Sequence, residues 1–327
     1  MSEARNDPRY DGVDDAVESG VYDAVVVGGG AAGLSAALVL GRARRRVAVV
    51  DTGAPRNAPA AHMRGFLSRD GMPPADLLAV GRAEVAGYGV RLVEGRVEHI
   101  AHGFLVRLAG GPALRARRVL VATGLRDELP GLPGVRERWG KDLLHCPYCH
   151  GYEVRDEPIG VLGTGPGSVH QALLLRQWSP DVVFFPHTVD LADDDREQLS
   201  AHGVRVVDGA VERLVVDGDR LRGVELAGGG VVRRTAVFVS PRFVPHDDLL
   251  TGLGCAKDDT GWVATDPAGR TSVPGVWAVG NVADPRAQVV TAAGLGSAAA
   301  IAINADLVRE DVERSVEDRR AANAALR

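Results

Sequence analysis

The chain has 327 residues, 45% of them hydrophobic and 25% charged, with a formal net charge of −5. That length supports two compact domains with cores of their own, and the composition is that of a globular protein. No basic block offers the electrostatic stripe that nucleic acid requires, no apolar stretch reaches the ~18 residues of a membrane span, and three cysteines are too few for a structural disulfide framework.

Residues 1–20 are polar and acidic, lack the apolar middle of a signal peptide, and predict a disordered arm. A cytoplasmic location follows as the default, where a reducing milieu suits a thiol that must cycle. The apolar run Ala24 to Val27 predicts a buried parallel strand. It leads into Gly28-x-Gly30-x-x-Gly33, a small-residue helix from Ala31 to Leu40, and a second strand from Val47 to Val50 that ends at Asp51. The distance from the last glycine to the acid is close to the ~20 residues of the dinucleotide fingerprint. Its glycines let backbone amides reach a pyrophosphate at the helix N-terminus, and its acid accepts from a ribose hydroxyl. Glycines serving only close helix–strand packing would leave Asp51 unexplained.

Thr52 to Arg69 is irregular and follows the ribose acid, so Asn57, His62 and Phe66 either line the cofactor site or are surface-loop residues. Helical spacing recurs from Pro73 to Gly87, and short strands are predicted at Val90 to Leu92, Phe104 to Leu108 and Leu114 to Val121. The last strand runs into an Ala122-Thr123-Gly124 turn, and the proline-rich Leu125 to Pro133 reads as a linker.

Two of the three cysteines then fall in His145-Cys146-Pro147-Tyr148-Cys149-His150-Gly151-Tyr152-Glu153. Cysteines two residues apart can close a small disulfide ring and reopen it. Structural zinc needs four ligands, and no second paired cluster exists; His145 and His150 are the other candidate ligands, and no metal site is predicted. The string also fits C-x-x-C-H haem attachment, a chemistry of exported proteins, or two idle buried thiols. Redox work is favoured by what flanks the motif. His150 is a candidate base with an unperturbed pKa near ~6.5. Glu153 would orient its imidazole if this stretch is helical, unless both are solvated polar residues.

A second cycle follows: a strand at Ile159 to Leu162, Gly163-x-Gly165-x-Gly167-Ser168, a helix from Val169 to Trp178, and a strand at Val182 to Phe185. Here the strand ends in Pro186-His187-Thr188, with neither an acid nor the cations that an adenosine 2′-phosphate needs. NADPH binding is therefore in question. Val204 to Val239 is strand-rich, Ser240 to Pro245 reads as a second linker, and a strand near Val276 ends in Gly280-Asn281-Val282-Ala283-Asp284. Gln288 to Ala302 predicts a small-residue helix, and Leu307 to Arg327 a charged amphipathic helix or frayed end. Cys255 reads as a small buried hydrophobe.

The order G-x-G-x-x-G, A-T-G, C-x-x-C, G-x-G and a late Gly-Asn-x-x-Asp turn resembles the low-molecular-weight thioredoxin reductase family over Val21 to Leu307. The resemblance implies an α/β fold of two Rossmann-like, three-layer domains, the second inserted in the first. An FAD domain would comprise residues 21–125 and 243–327, a linker 126–143, and an inserted NAD(P)-type domain 144–242. It implies FAD contacts at Gly28, Gly30, Ala32, Gly33, Asp51, Asn57, His62, Val97, Ala122, Thr123, Gly124, Gly280, Asn281, Gln288 and Val289. The N-terminus of the Gln288 helix would face the flavin ring, its dipole favouring charge on the reduced form, or the helix would simply pack closely. Homodimers are usual in the family.

Three departures stand out. His150 replaces the family's aspartate after the second cysteine, the cationic H-R-R-x-x-x-R string is missing, and Gly280-Asn281 stands for Gly-Asp. C-P-Y-C-H-G-Y-E and the H-Q-A-L-L-L-R-Q-W helix look more like the dithiol oxidases of the gliotoxin and holomycin type, which return electrons to oxygen. Catalytic roles would then fall to Cys146, attacked by a small-molecule dithiol, to Cys149 against the flavin, and to His150 and Glu153. The rival readings are a reductase of a thioredoxin-like protein using NADPH or ferredoxin, and a flavin-binding scaffold without turnover.

Overall fold

The computed structural model describes residues 17–326. The predicted arm lies outside the described residues up to position 16, and residues 17–20 already open the first strand. The chain forms two compact units: Met1–Ala54 with Leu78–Gly124 and Pro245–Arg327, and Pro55–Leu77 with Leu125–Val244.

Along the chain, β1 (Val17–Val27) leads to α1 (Ala31–Arg42), β2 (Val47–Asp51), α2 (Pro74–Gly87), β3 (Arg91–Glu94), β4 (Val97–Ala101), β5 (Leu105–Leu108) and β6 (Ala113–Val121). Next come β7 (Leu125–Glu128), α3 (Val135–Arg138), β8 (Leu143–Leu144), α4 (Pro147–His150), β9 (Ile159–Leu162), α5 (Ser168–Leu175), β10 (Val182–Phe185) and α6 (Asp193–Ala201). They are followed by β11 (Arg205–Val206), β12 (Val211–Asp217), β13 (Arg220–Leu226), β14 (Val231–Arg233), β15 (Ala236–Val239) and β16 (Arg242–Pro245). The chain closes through α7 (Asp248–Gly252), β17 (Val276–Ala278) and α8 (Val289–Ala325).

The first unit's sheet has the order β3-β2-β1-β6-β5-β4, with β17 also on β6. β1 is parallel to β2 and to β6, Val26 standing beside Val49 and Leu120. Ala24 and Val26 enter the core shared with α1 and α8, while Val25 and Val27 enter the opposite one. Burial on both faces is why the strand reads as an unbroken apolar run. β4, missed in the sequence, is the edge strand, and a register shift between Val97 and His99 lets Val97 and Ile100 both be buried with polar Glu98 and His99 between them.

α8 joins the predicted Gln288 helix and the charged tail into one helix of 37 residues. Gly296 packs so closely that a Cβ there would lie 2.0 Å from the Ala32 carbonyl oxygen of α1. Small residues at this crossing let two backbones touch. α8 also corrects the expectation of no span-length apolar stretch: one 18-residue window has a mean hydropathy of 1.4. Its Gly296, Ala299, Ala300 and Ile303 are buried in the first unit, while 22% of that window is buried in all.

In the second unit a fully parallel sheet, β11-β10-β9-β15-β8, carries α5 and α6 on one face. The antiparallel β12-β13-β14 sheet covers the other, with Leu214, Leu221 and Val224 packed against Phe185 and Val237. The two stretches read as linkers contain strands, β7 and β16, which pair with each other. Residues 126–143 also carry α3 and β8, and Pro55–Leu77 belongs to this second unit instead of following Asp51 in the first. Arg56 explains the placement: its guanidinium forks onto Asp127 at 2.8 and 2.6 Å, and Pro59 packs against Gly140.

Candidate active site

Pro147 opens α4, a single turn with Cys146 as its N-cap. Proline costs nothing there, because the first helical amide has no intrahelical partner. The turn brings the Cα atoms of Cys146 and Cys149 to 5.2 Å, and their sulfurs are joined in a disulfide. The Cys149 amide donates to Cys146 Sγ at 3.2 Å, an interaction that strengthens when the sulfur is a thiolate. Trp178 packs over Gly151, where a Cβ would meet the indole at 2.8 Å. Tyr148 meets the Trp178 ring edge-on at 5.9 Å, and Tyr148 and Tyr152 remain 66% and 65% exposed beside the disulfide.

Two histidines bracket the pair. His145 places Nδ1 3.2 Å from the Val239 carbonyl, which can only accept, so Nδ1 carries a proton. Burial pushes this imidazole below its usual value, and Phe243 packs on it edge-on at 5.1 Å. Its own carbonyl accepts from Gln171 Nε2 at 2.6 Å, fixing the backbone that enters the cysteine turn. His150 is also held low, first by burial; the Glu153 carboxylate opposes this and the Arg64 guanidinium reinforces it.

The expected His150–Glu153 pairing is not what forms. α4 ends at His150 but the turn continues, the Glu153 amide donating to the His150 carbonyl at 3.2 Å, while the Glu153 carboxylate takes Arg64 Nε at 3.0 Å. Arg64 carried no signal in the sequence beyond being one arginine in an irregular loop. Its role appears only because Pro55–Leu77 packs within the unit that holds α4.

The first glycine turn brings strand, helix and Asp51 close together. Gly28 adopts φ +106°, and a Cβ there would lie 2.3 Å from the Ala122 carbonyl oxygen. At Gly33 a Cβ would stand 1.9 Å from the Gly28 oxygen, so α1 starts pressed onto the end of β1. Gly30 faces open space, and the helix start has no side-chain cap and no acid in its first turn. Amides that no protein group satisfies are what an anionic diphosphate requires. Asp51 Oδ1 accepts from Gly29 N–H at 2.9 Å, and its Oδ2 pairs with Arg82 at 3.0 Å, a partner the sequence did not reveal.

Ala32 and Gly280 close the same region, where a Cβ on Gly280 would lie 3.1 Å from Ala32 Cβ. Thr123 Oγ1 donates to the His246 carbonyl at 2.7 Å and Gly124 accepts from the His246 amide at 3.0 Å, tying the A-T-G turn to the returning chain. Asn281 uses its Nδ2 on the Asp284 and Ala287 carbonyls at 2.9 and 3.0 Å, which shapes the turn ahead of α8. Gln288 is the N-cap of α8 with no side-chain cap bond, and Val289 begins the helix.

Asn57 and the exposed His62 belong to the second unit, where His62 Nδ1 lies 3.0 Å from the Gly71 carbonyl. Val97 is a core residue of the first unit, buried among the Ile100, Val106 and Leu108 side chains. Phe66 also lies in the second unit's loop.

The second glycine turn is different. Ser168 Oγ, fully buried, accepts from the amides of Thr164 and Gly165 at 3.2 and 3.3 Å. Thr188 Oγ1 donates to the Gly163 carbonyl at 3.2 Å, and a Cβ on Gly163 would meet the Pro186 oxygen at 2.4 Å. His187, at φ +51°, accepts the Val211 amide at 3.2 Å. From Pro186 to Asp195 there is no lysine or arginine. These residues do not fit the 2′-phosphate of NADPH.

Comparison with known proteins places this architecture. The profile of the pyridine nucleotide-disulphide oxidoreductases matches residues 22–296. The crystal structure of HlmI superposes with a TM-score of 0.92 at 64% identity, covering 95% of this chain and 100% of that one. A probable thioredoxin reductase of Arthroderma benhamiae is 31% identical over 91% of this chain and 83% of its own length. Thioredoxin reductase sirT of Leptosphaeria maculans is 31% identical over 89% and 96%. The chain belongs to the pyridine nucleotide-disulphide oxidoreductase family. Within it, the protein is a flavin-dependent thiol–disulfide oxidoreductase of the thioredoxin-reductase type.

Proposed function

We propose that this enzyme oxidises a small-molecule dithiol through the Cys146–Cys149 disulfide, with oxygen as the final acceptor in place of an NADPH-driven reduction. The observation that carries this is the second glycine turn, which bonds to its own Ser168 and Thr188 and ends without a cation. Residues Gly28, Gly30, Ala32, Gly33, Asp51, Ala122, Gly280 and the start of α8 would hold FAD. Bound FAD supplies a two-electron acceptor that oxygen reoxidises, with hydrogen peroxide as product.

His150, kept neutral by its surroundings, takes the proton of a substrate thiol. The thiolate attacks Cys146 Sγ, the Cys146–Cys149 bond breaks, and Cys149 leaves as a thiolate. The second substrate thiol then attacks the substrate sulfur of the mixed disulfide and releases Cys146. Its negative charge is met by the Cys149 amide. The substrate leaves as a disulfide, two electrons and two protons poorer. The exposed Tyr148 and Tyr152 rings give a small apolar dithiol a surface beside the reacting sulfur.

The relatives named thioredoxin reductase support a second reading, a thioredoxin-like protein as partner with NADPH or ferredoxin as donor. The discriminating experiment compares oxygen uptake and peroxide formation with dithiothreitol against thioredoxin turnover with NADPH. Dithiol-dependent peroxide with no NADPH oxidation is the expected result; sustained NADPH-dependent thioredoxin reduction overturns it. We further propose a cytoplasmic homodimer. Val308, Val312 and Val316 leave an apolar stripe on one face of α8, 47%, 56% and 42% exposed, which a second copy would cover.

A further inference from the structure

We propose that Gln171 and Trp178 are positioning residues for the Cys146–Cys149 pair: they hold the two ends of its turn on one helical segment, so that the sulfurs stay within reach of each other once the disulfide opens. The inference rests on the reading of that pair as the one that cycles, and on no particular thiol partner.

The entry to the turn is held by the first turn of α5. Gln171, 6% exposed, donates from Nε2 to the His145 carbonyl at 2.6 Å, and its Oε1 accepts from Ser240 Oγ at 3.4 Å. The carbonyl it meets belongs to the residue just before Cys146. One residue further back, Leu144 is buried in the core that α5 shares with β9 and β10. The exit is held where α5 runs out. A Cβ on Gly151 would come within 2.8 Å of the Trp178 indole, and the Trp178 carbonyl accepts from the Asp156 amide at 2.8 Å. Ser179, the next residue, donates from Oγ to the Glu157 carbonyl at 2.6 Å. Tyr148, between the cysteines, adds its edge-on contact with Trp178. The H-Q-A-L-L-L-R-Q-W string therefore supplies both supports, its first glutamine at one end and its tryptophan at the other.

Two thiols whose flanking backbone is fixed on both sides keep a high effective concentration, which favours reclosure. Dithiothreitol opens the pair by breaking the Cys146–Cys149 bond and becoming a cyclic disulfide, its two electrons and two protons passing to the enzyme sulfurs. Loosening either end of the turn shifts this equilibrium toward the open dithiol.

The test equilibrates flavin-loaded enzyme, without oxygen, at stepped ratios of reduced to oxidised dithiothreitol. Acid quenching, alkylation and mass spectrometry read the open fraction, and the flavin absorbance is read beside it. Gln171→Leu should open half of the pair at a ratio about tenfold lower than the parent, a shift of ~30 mV. Trp178→Phe should shift it less and in the same direction, and because it keeps most of the apolar volume it decides the matter where Gln171→Leu does not fold. His170→Ala, an exposed neighbour on α5, should match the parent, and the flavin midpoint should stay where it is in all three. Midpoints of the pair that stay with the parent, move toward harder reduction, or move equally in His170→Ala overturn the inference. A pair that stays closed in the parent at every ratio overturns instead its reading as the cycling one.

Discussion

The two glycine turns of this chain began from the same plan and differ in what satisfies their amides. At the first, Gly30 faces open space, no side chain caps α1, and Asp51 reaches back to the Gly29 amide. At the second, Ser168 Oγ takes the turn amides and Thr188 folds over the Gly163 carbonyl. Gly165 and Gly167 face open space too, and α5 like α1 starts without a side-chain cap. The turns therefore differ in the two amides that Ser168 takes and in what ends the following strand, Asp51 at the first and Pro186-His187-Thr188 at the second.

The strongest way to break the comparison is on the first side. Gly33→Val would drive a side chain into the Gly28 carbonyl, 1.9 Å from where its Cβ must sit. It should cost about 3 kcal/mol and yield colourless protein, read by thermal melting and by the 450-nm band characteristic of oxidised flavin. Cys149→Ser separates binding from chemistry: the yellow colour should stay while dithiol turnover falls by roughly a thousandfold or more. Asp51→Asn keeps the Gly29 contact but loses the charge, and should weaken FAD affinity by about tenfold, measured by flavin release on dilution.

On the second side the effects are smaller. His187→Arg with Thr188→Arg supplies the missing cations and uncovers the Gly163 carbonyl, yet leaves Ser168 on the turn amides. NADPH-dependent flavin reduction should rise by no more than about tenfold over the parent. The smallest effect is on stability. Burial lowers His145, His150 and His187, so between their folded values and ~6.5 the unfolded chain binds more protons than the folded one. Stability is complete above that window and should decline as pH falls through it, by urea melts at stepped pH.

Much of this was legible in the sequence for a physical reason. Strands buried on both faces must be apolar throughout, so Val47–Val50 and Val182–Phe185 announce themselves. The Gly28–Gly33 spacing and Asp51 encode a close approach only glycine permits. The rest depended on partners distant in sequence. Arg82 meets Asp51 from 31 residues away, and Arg56 forks onto Asp127 from 71. Glu153 was assigned to His150 on helical spacing, which a backbone bond between the two keeps, but its carboxylate meets Arg64 from 89 residues earlier in the chain. Polar β4 and the strands within the supposed linkers were hidden because edge and two-stranded pairings demand little hydrophobic pattern.

The central claim concerns where electrons enter. Purified yellow enzyme is mixed without oxygen, once with dithiothreitol and once with NADPH, while the flavin absorbance is followed in a stopped-flow cell. The account predicts rapid bleaching by the dithiol, little by NADPH, and full return of colour when air is admitted. Fast bleaching by NADPH with none by the dithiol would contradict it.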